Sequence, residues 1–321
     1  MKKSPEKRLY LGIDTSAYTT SMALVSEDEA LIIDRRLPLS VKEGELGLRQ
    51  SEAVFQHLSQ MTQLWDRKVL DQQPYKLNGV AFSSRPRPVA GSYMPVFKVS
   101  EAFGLFLAQT MGFDFYSSSH QEGHVVAGLW SAGLSGGRYL VIHLSGGTTE
   151  ILDVEEYNPG KIRIKLLGGS EDLNAGQFID RVGKDFGLSF PAGPQLEKLA
   201  LEGKEGEITL PVSVKGAKIS FSGPASQAKR ILSRECSHAN LGRAVEICIA
   251  DSISAAVNNL TKEISDFDNI LVVGGVAANK FIQKRLQNNL ECWPIYYAET
   301  RYASDSAVGL AVQAARLFRG S

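Results

Sequence analysis

Tyr10 to Thr20 aligns without gaps on Tyr139 to Thr149, with Tyr, Leu, Ile, Ser, Thr and Thr identical at matched positions. Each copy reads as an apolar strand, a small-residue turn and a second apolar strand, which runs from Ser21 to Val25 in one copy and from Ile151 to Val154 in the other. A repeat of this kind limits the chain to folds built from two related halves.

The segments after the two copies extend the correspondence. Hydrophobic periodicity after the first predicts a strand over 30–36, a helix over 49–65, a strand over 78–83, a helix over 96–111 and a strand over 113–116. After the second it predicts a strand over 161–167, helices over 172–186 and 242–264, a strand over 269–273, a helix over 277–287 and a strand over 294–298. Each half is thus a three-strand meander leading into alternating helices and strands. Two such halves make an α/β, duplicated actin-like fold of the ribonuclease-H type, with a nucleotide cleft between two lobes. The expected first lobe is 1–131, with the terminal helix 304–321 packing back on it. The second is 132–303, and its Pro- and Gly-broken stretch from about 188 to 240 reads as a decorating insertion.

Two glycine turns suit a nucleotide. Ser145-Gly146-Gly147-Thr148 comes after an apolar strand and offers unhindered backbone N–H groups to an anion. Gly274-Gly275, in the motif that ends at Asn279, comes after the strand Leu271-Val272-Val273 and leads into the helix expected over 277–287. Separately, His120-Gln121-Glu122-Gly123-His124 places two imidazoles at i and i+4 on one helical face, where they can grip one cation. The zinc-peptidase version of this spacing needs a carboxylate base directly after the first histidine. Here that residue is Gln121, so hydrolysis by that scheme lacks its base.

Composition narrows the setting. The chain has 321 residues, 43% of them hydrophobic, enough for two packed lobes. Thirty-five basic residues balance 35 acidic ones, so no global nucleic-acid signature exists; basic clusters are local, at Arg85-Pro86-Arg87 and along Lys215, Lys218, Lys229, Arg230 and Arg234. Cys236, Cys248 and Cys292 lack paired spacing and read as reduced thiols, and no run suits a membrane, so a cytoplasmic protein is expected.

The motif order resembles one family across almost the whole chain. It runs Ile-Asp-Thr-Ser (13–16), Ser-His-x-x-Gly-His (119–124), Leu-Ser-Gly-Gly-Thr-Thr (144–149), Asp-x-x-Ala-Gly-x-x-x-Asp (172–180), Phe-Pro-Ala-Gly-Pro (190–194), Ser-Phe-Ser-Gly (220–223), Val-Gly-Gly-Val-Ala-Ala-Asn (273–279) and Ser-Asp-Ser-Ala (304–307). This is similar to the universal tRNA threonylcarbamoyladenosine transferases, once called O-sialoglycoprotein endopeptidases. The resemblance implies transfer of a threonylcarbamoyl group from threonylcarbamoyl-AMP to the exocyclic amine of the tRNA adenosine next to the anticodon. It implies one divalent ion, iron or zinc, on His120, His124 and Asp305. It also implies an adenine nucleotide (threonylcarbamoyl-AMP, ATP or ADP) on the Ser145–Thr148 turn, Asp180, Gly193 and Asn279. The partners it implies are tRNA and helper proteins, among them an actin-like paralogue subunit and a small ATPase.

The departures suggest a divergent bacterial paralogue. The family's Cys-Asp-Glu-Thr is Ala17-Tyr18-Thr19-Thr20, its Ser-Gly-Gly-His-Thr is Ser-Gly-Gly-Thr-Thr, and its Asp-Asp-Ala-Ala-Gly-Glu is Asp172-Leu173-Asn174-Ala175-Gly176-Gln177. Acidic groups are depleted while the metal and nucleotide elements remain. Two readings stay open: a transferase moving a threonylcarbamoyl or carbamoyl group from an adenylate to tRNA adenosine or another acceptor, or a non-catalytic, nucleotide-binding regulatory subunit of the same lineage. His143, two residues before the Ser-Gly-Gly turn and on the same strand face as Ser145, is an expected fourth metal ligand that replaces the turn histidine.

Overall fold

A computed structural model describes the chain except residues 1–6, 42–47, 66–74, 235, 265, 303–304 and 320–321. Two compact units emerge, one of Met1–Gly136, Glu156–Ile162 and Ser304–Ser321, the other of Gly137–Glu155 and Arg163–Ala303. Their sheets belong to the same plan. The first has strand order β3-β2-β1-β4-β5, from β1 (Lys7–Thr15), β2 (Thr19–Ser26), β3 (Leu31–Pro38), β4 (Tyr75–Arg85) and β5 (Asp114–Ser119). The second contains β6 (Gly137–Leu144), β7 (Thr149–Asn158), β8 (Lys161–Ser170), β9 (Val214–Lys215), β10 (Lys218–Ile219), β11 (Asn269–Val273) and β12 (Ile295–Tyr297), in the order β12-β11-β6-β7-β8-β10-β9. Stripped of β9 and β10, that is the first order read from the other end.

In the first unit β1 is central, antiparallel to β2 and parallel to β4, and Leu9 to Thr15 are all buried. Such an unbroken run is what a strand covered on both faces requires. One cover is α1 (Gln50–Leu64) with α2 (Phe97–Met111), which ends at Gly112 in the left-handed region, its N–H closing on Ala108 O at 2.8 Å. The other includes α3 (His120–Ser131) and the last helix, α9 (Val308–Phe318). Glycines let these approach. A Cβ on Gly12 would run into Ala307 O and come within 2.6 Å of Ala311 N, and one on Gly309 would meet Gly123 O and lie 2.7 Å from Ala127 N. Polar ties complete the seam: Tyr10 Oη donates to Phe318 O at 3.1 Å, Gln313 Nε2 to Gly160 O at 2.9 Å, and Arg316 pairs with Glu29 and Glu156 at 2.9 and 3.0 Å.

The second unit carries α4 (Ala175–Asp185), α5 (Gly193–Ala200), α6 (Ser222–Leu232), α7 (His238–Leu260) and α8 (Lys280–Asn289). Several expected boundaries move. The helix expected from 172 starts at Ala175, because Asp172 instead accepts from Phe221 N at 2.9 Å, Leu173 N and Ser220 Oγ. The helix expected from 277 splits into a 3₁₀ turn, Gly275–Ala278, and α8, because the Asn279 side chain caps the latter by accepting from Ile282 N at 2.9 Å. The 188–240 stretch does more than decorate: Leu196, Leu210, Ile219, Phe221 and Ala228 belong to the same buried cluster as the sheet residues Leu140 and Ile142. Among the described residues, no helix is long and apolar enough to cross a membrane.

Candidate metal centre

The first unit gathers five polar side chains, Asp14, Ser16, His120, His124 and Asp305, at one end of β1, α3 and the turn before α9. α3 starts at His120 because Ser119 caps it: Ser119 Oγ accepts from Glu122 N at 3.2 Å, and Glu122 Oε2 accepts from Ser119 N at 2.7 Å. Glu122 is therefore spent on the capping box and turned from any catalytic role. His120 and His124 then stand one turn apart, their rings nearly perpendicular and their Nε2 atoms 3.1 Å from each other. Asp305 Oδ1 lies 3.3 Å from His124 Nε2 and 3.6 Å from His120 Nε2.

These three atoms form a triangle of the size that one bound cation would span. Around a zinc-type ion with bonds of ~2.0 Å, tetrahedral ligands stand ~3.3 Å apart. Edges of 3.1, 3.3 and 3.6 Å match.

The groups behind the ligands orient them. Asp14, buried at the end of β1, lies 3.0 Å from His120 Nδ1, so it holds the proton there and turns Nε2 toward the other ligands. Ser16 Oγ donates to Asp305 Oδ2, leaving Oδ1 for the ion. Phe97 packs on the His120 ring, centroids 5.6 Å apart. Burial works against a charged His120, but the carboxylates of Asp14 and Asp305 outweigh it and lift the imidazole to about 9. Asp305 is likewise desolvated, yet hydrogen bonding to His124 and the charge of both rings hold it well below the usual carboxylate range.

The remaining candidates all lie in the second unit. Ser145 to Thr148 form the turn between β6 and β7, closed by Ser145 N to Thr148 O at 2.8 Å. Gly146 and Gly147 are exposed, and a Cβ on either would meet nothing within 4 Å, which leaves room for a ligand above the turn. Gly274, buried at φ 102°, lets its strand end pass the Leu144 carbonyl, and Gly275 beyond it is open. Asp180 accepts from Ala192 N at 2.8 Å, next to Gly193 at the start of α5. Asn279 serves as the cap of α8 and also donates to Glu246 Oε1 at 2.7 Å. His143 is buried on β6 and is not one of the three clustered ligands, His120, His124 and Asp305.

Sequence reasoning missed Asp14 and Ser16 as supports, although both sit in the Ile-Asp-Thr-Ser segment of 13–16. Their contacts lie 106 and 289 residues away in the chain, beyond any local pattern.

Comparison with known proteins decides the family. The family model described as TsaD, tRNA N6-adenosine threonylcarbamoyltransferase, matches residues 46–312. The chain belongs to this family. A tRNA N6-adenosine threonylcarbamoyltransferase of Thermus thermophilus is 30% identical over 282 residues, 86% of this chain and 83% of that one. One from Caulobacter vibrioides is 32% identical over 252 residues, covering 74% and 66%. A probable bifunctional tRNA threonylcarbamoyladenosine biosynthesis protein of Methanocorpusculum labreanum is 30% identical, and there the match spans 89% of this chain and 51% of the relative. Among solved structures, full-length HypF in its phosphate- and nucleotide-bound form has a TM-score of 0.60 at 14% identity, covering 100% of this chain and 47% of that one. A ROK-family glucokinase from Streptomyces griseus has 0.53 and 11%, covering 95% and 99%. At such identities these likenesses speak for the actin-like fold alone, as the duplicated strand order does.

Proposed function

We propose that the chain is a metal-dependent threonylcarbamoyltransferase acting on the exocyclic amine of the tRNA adenosine next to the anticodon. The observation that supports it most is the convergence of His120, His124 and Asp305 in a chain of this family. A regulatory subunit that only bound nucleotide would have no use for three such ligand atoms and two groups that orient them.

In the transfer, the adenosine nitrogen attacks the carbonyl of threonylcarbamoyl-AMP. A C–N bond forms, the C–O bond to phosphate breaks, AMP leaves with the electron pair and the amine gives up a proton. Iron or zinc on the three ligands supplies a Lewis acid for substrate oxygens. Asp14 keeps the His120 proton on Nδ1, and Ser16 holds Asp305. In the second unit, the N–H groups of Gly146 and Gly147 bind phosphate, with Asp180, Gly193, Gly274, Gly275 and Asn279 taking the nucleoside side. No side-chain nucleophile takes part. The exposed Lys215, Lys229, Arg230 and Arg234 supply contacts to tRNA phosphates, supplemented by helper proteins such as an actin-like paralogue and a small ATPase in the cytoplasm.

The test is restoration of the modified adenosine in tRNA of cells depleted of their normal transferase, read by mass spectrometry of nucleosides. Restoration that disappears in His120→Ala supports the reading. A folded, metal-loaded protein that restores nothing even with its host's helper proteins present moves the function to another acceptor or to a subunit role.

A further inference from the structure

A buried histidine that the proposed chemistry does not use stands behind the metal centre. His57 is on α1, fully buried, and both ring nitrogens are engaged: Nε2 lies 2.9 Å from the Ser16 carbonyl and Nδ1 lies 2.7 Å from Thr20 Oγ1. A carbonyl only accepts, so Nε2 carries the proton. Nδ1 can then only accept, so the single proton of Thr20 Oγ1 is shared between it and Gln60 Oε1 at 2.6 Å, while Gln60 Nε2 donates to Pro38 O at 3.0 Å. α1 is thereby pinned to both ends of the β1–β2 turn and to the end of β3.

The turn it holds is the one that grips Asp305. Ser16 Oγ accepts from Thr19 N at 3.0 Å and Tyr18 N at 3.3 Å, and Ser16 N donates to Thr19 O at 3.0 Å. Its single proton has two acceptors in reach, Thr19 O at 3.3 Å and the closer Asp305 Oδ2, and the carboxylate is the stronger of the two. An apolar residue would fill the space on α1 more cheaply than a buried imidazole, whose polar atoms must all be matched.

We propose that His57 is a positioning residue for the metal centre, fixing the Ser16 turn so that Ser16 orients Asp305 toward His120 and His124. The inference rests on the reading that these three residues hold an ion. The route is linear: α1 to His57, His57 to the Ser16 carbonyl, Ser16 hydroxyl to Asp305. Removing any link should loosen the same ligand, and removing two should cost no more than removing one.

The test is zinc affinity by chelator competition on the full chain, beside the ligand-field spectrum of the cobalt-substituted protein and the melting temperature without metal. Ser16→Ala should weaken zinc about 10- to 100-fold, the usual cost of losing an outer partner of a metal ligand, and His57→Leu, one link further back, should weaken it measurably but by no more than that. The double variant should be no weaker than the worse single. His57→Gln, which returns an N–H toward the Ser16 carbonyl, should recover affinity and the wild-type cobalt spectrum. Thr20→Val, a milder loss, serves if His57→Leu does not fold, and should weaken zinc in the same direction. Folded His57→Leu or Thr20→Val with wild-type zinc affinity overturns the proposal, as do fully additive losses. A wild-type chain whose zinc binding ignores His120→Ala would instead overturn the metal reading itself, so the two failures are distinguishable.

Discussion

Gly12→Ala sets two physical arguments against each other. Gly12 is in the middle of β1, where replacing glycine by alanine ordinarily gains about 0.5–1 kcal/mol by restricting the unfolded chain. The structure demands the opposite sign. The new Cβ would overlap Ala307 O and sit 2.6 Å from Ala311 N, whereas ordinary contact starts at 3.4 Å. Both obstacles are backbone, so no rotamer change relieves them, and α9 must retreat by the better part of an ångström. Overpacking of this kind costs roughly 1–3 kcal/mol, and a backbone obstacle belongs at the upper end. The net destabilisation is about 2 kcal/mol, which lowers the melting temperature by about 4–8 °C at roughly 2–4 °C per kcal/mol. Because Asp305 lies just ahead of Ala307, the retreat also draws a ligand from His120 and His124, and zinc affinity falls. Thermal unfolding with and without zinc checks both. A melting temperature equal to or above wild type would refute the close approach of α9 to β1.

The same geometry sets other outcomes. Burial lifts the Glu246 carboxyl to about 7, against its hydrogen bond from Asn279 and its ion pair with Arg243. The folded state then holds a proton the unfolded state releases from about 4.5 upward, so Glu246 reduces stability as pH rises from about 4.5 to 7; urea titrations should show that slope flattened in Glu246→Gln. Metal analysis of His143→Ala against His120→Ala tests the fourth ligand: loss of metal in both variants supports it, and full occupancy in the first alone removes His143 from the site. Gly275→Val, whose Cβ meets nothing within 4 Å, should keep its melting temperature yet weaken ADP in calorimetry, and unchanged binding would remove that turn from the nucleotide site.

How much of this was legible depends on range along the chain. The two strand-turn-strand copies, the 3.6-residue face of His120 and His124 and the glycine turns are local signals, and the sheet orders agree with the duplication they implied. The start of α4 was misplaced because Asp172 is claimed by groups some fifty residues on: burial pushes its carboxyl up, but the Ser220 hydroxyl first, then the Phe221 and Ser222 N–H groups together with that of Leu173, hold it down at about 2. The start of α8 was misplaced because one side chain, Asn279, prefers to cap it. The outer supports of the metal centre were invisible for the same reason as Asp172: His57, Ser16 and Asp14 act through partners that only the finished fold brings near.

The seam between β1, α3 and α9 also orders events during synthesis. His120 and His124 follow all five strands of their sheet, but Asp305 comes 181 residues after His124. At roughly 5–20 residues per second, the histidines wait about 10–35 s for their carboxylate. Until then the central strand has one face without its terminal helix, and an ion on the two imidazoles lacks its anionic ligand. A chain halted between His124 and Asp305 therefore carries the helix histidines without the carboxylate that joins them.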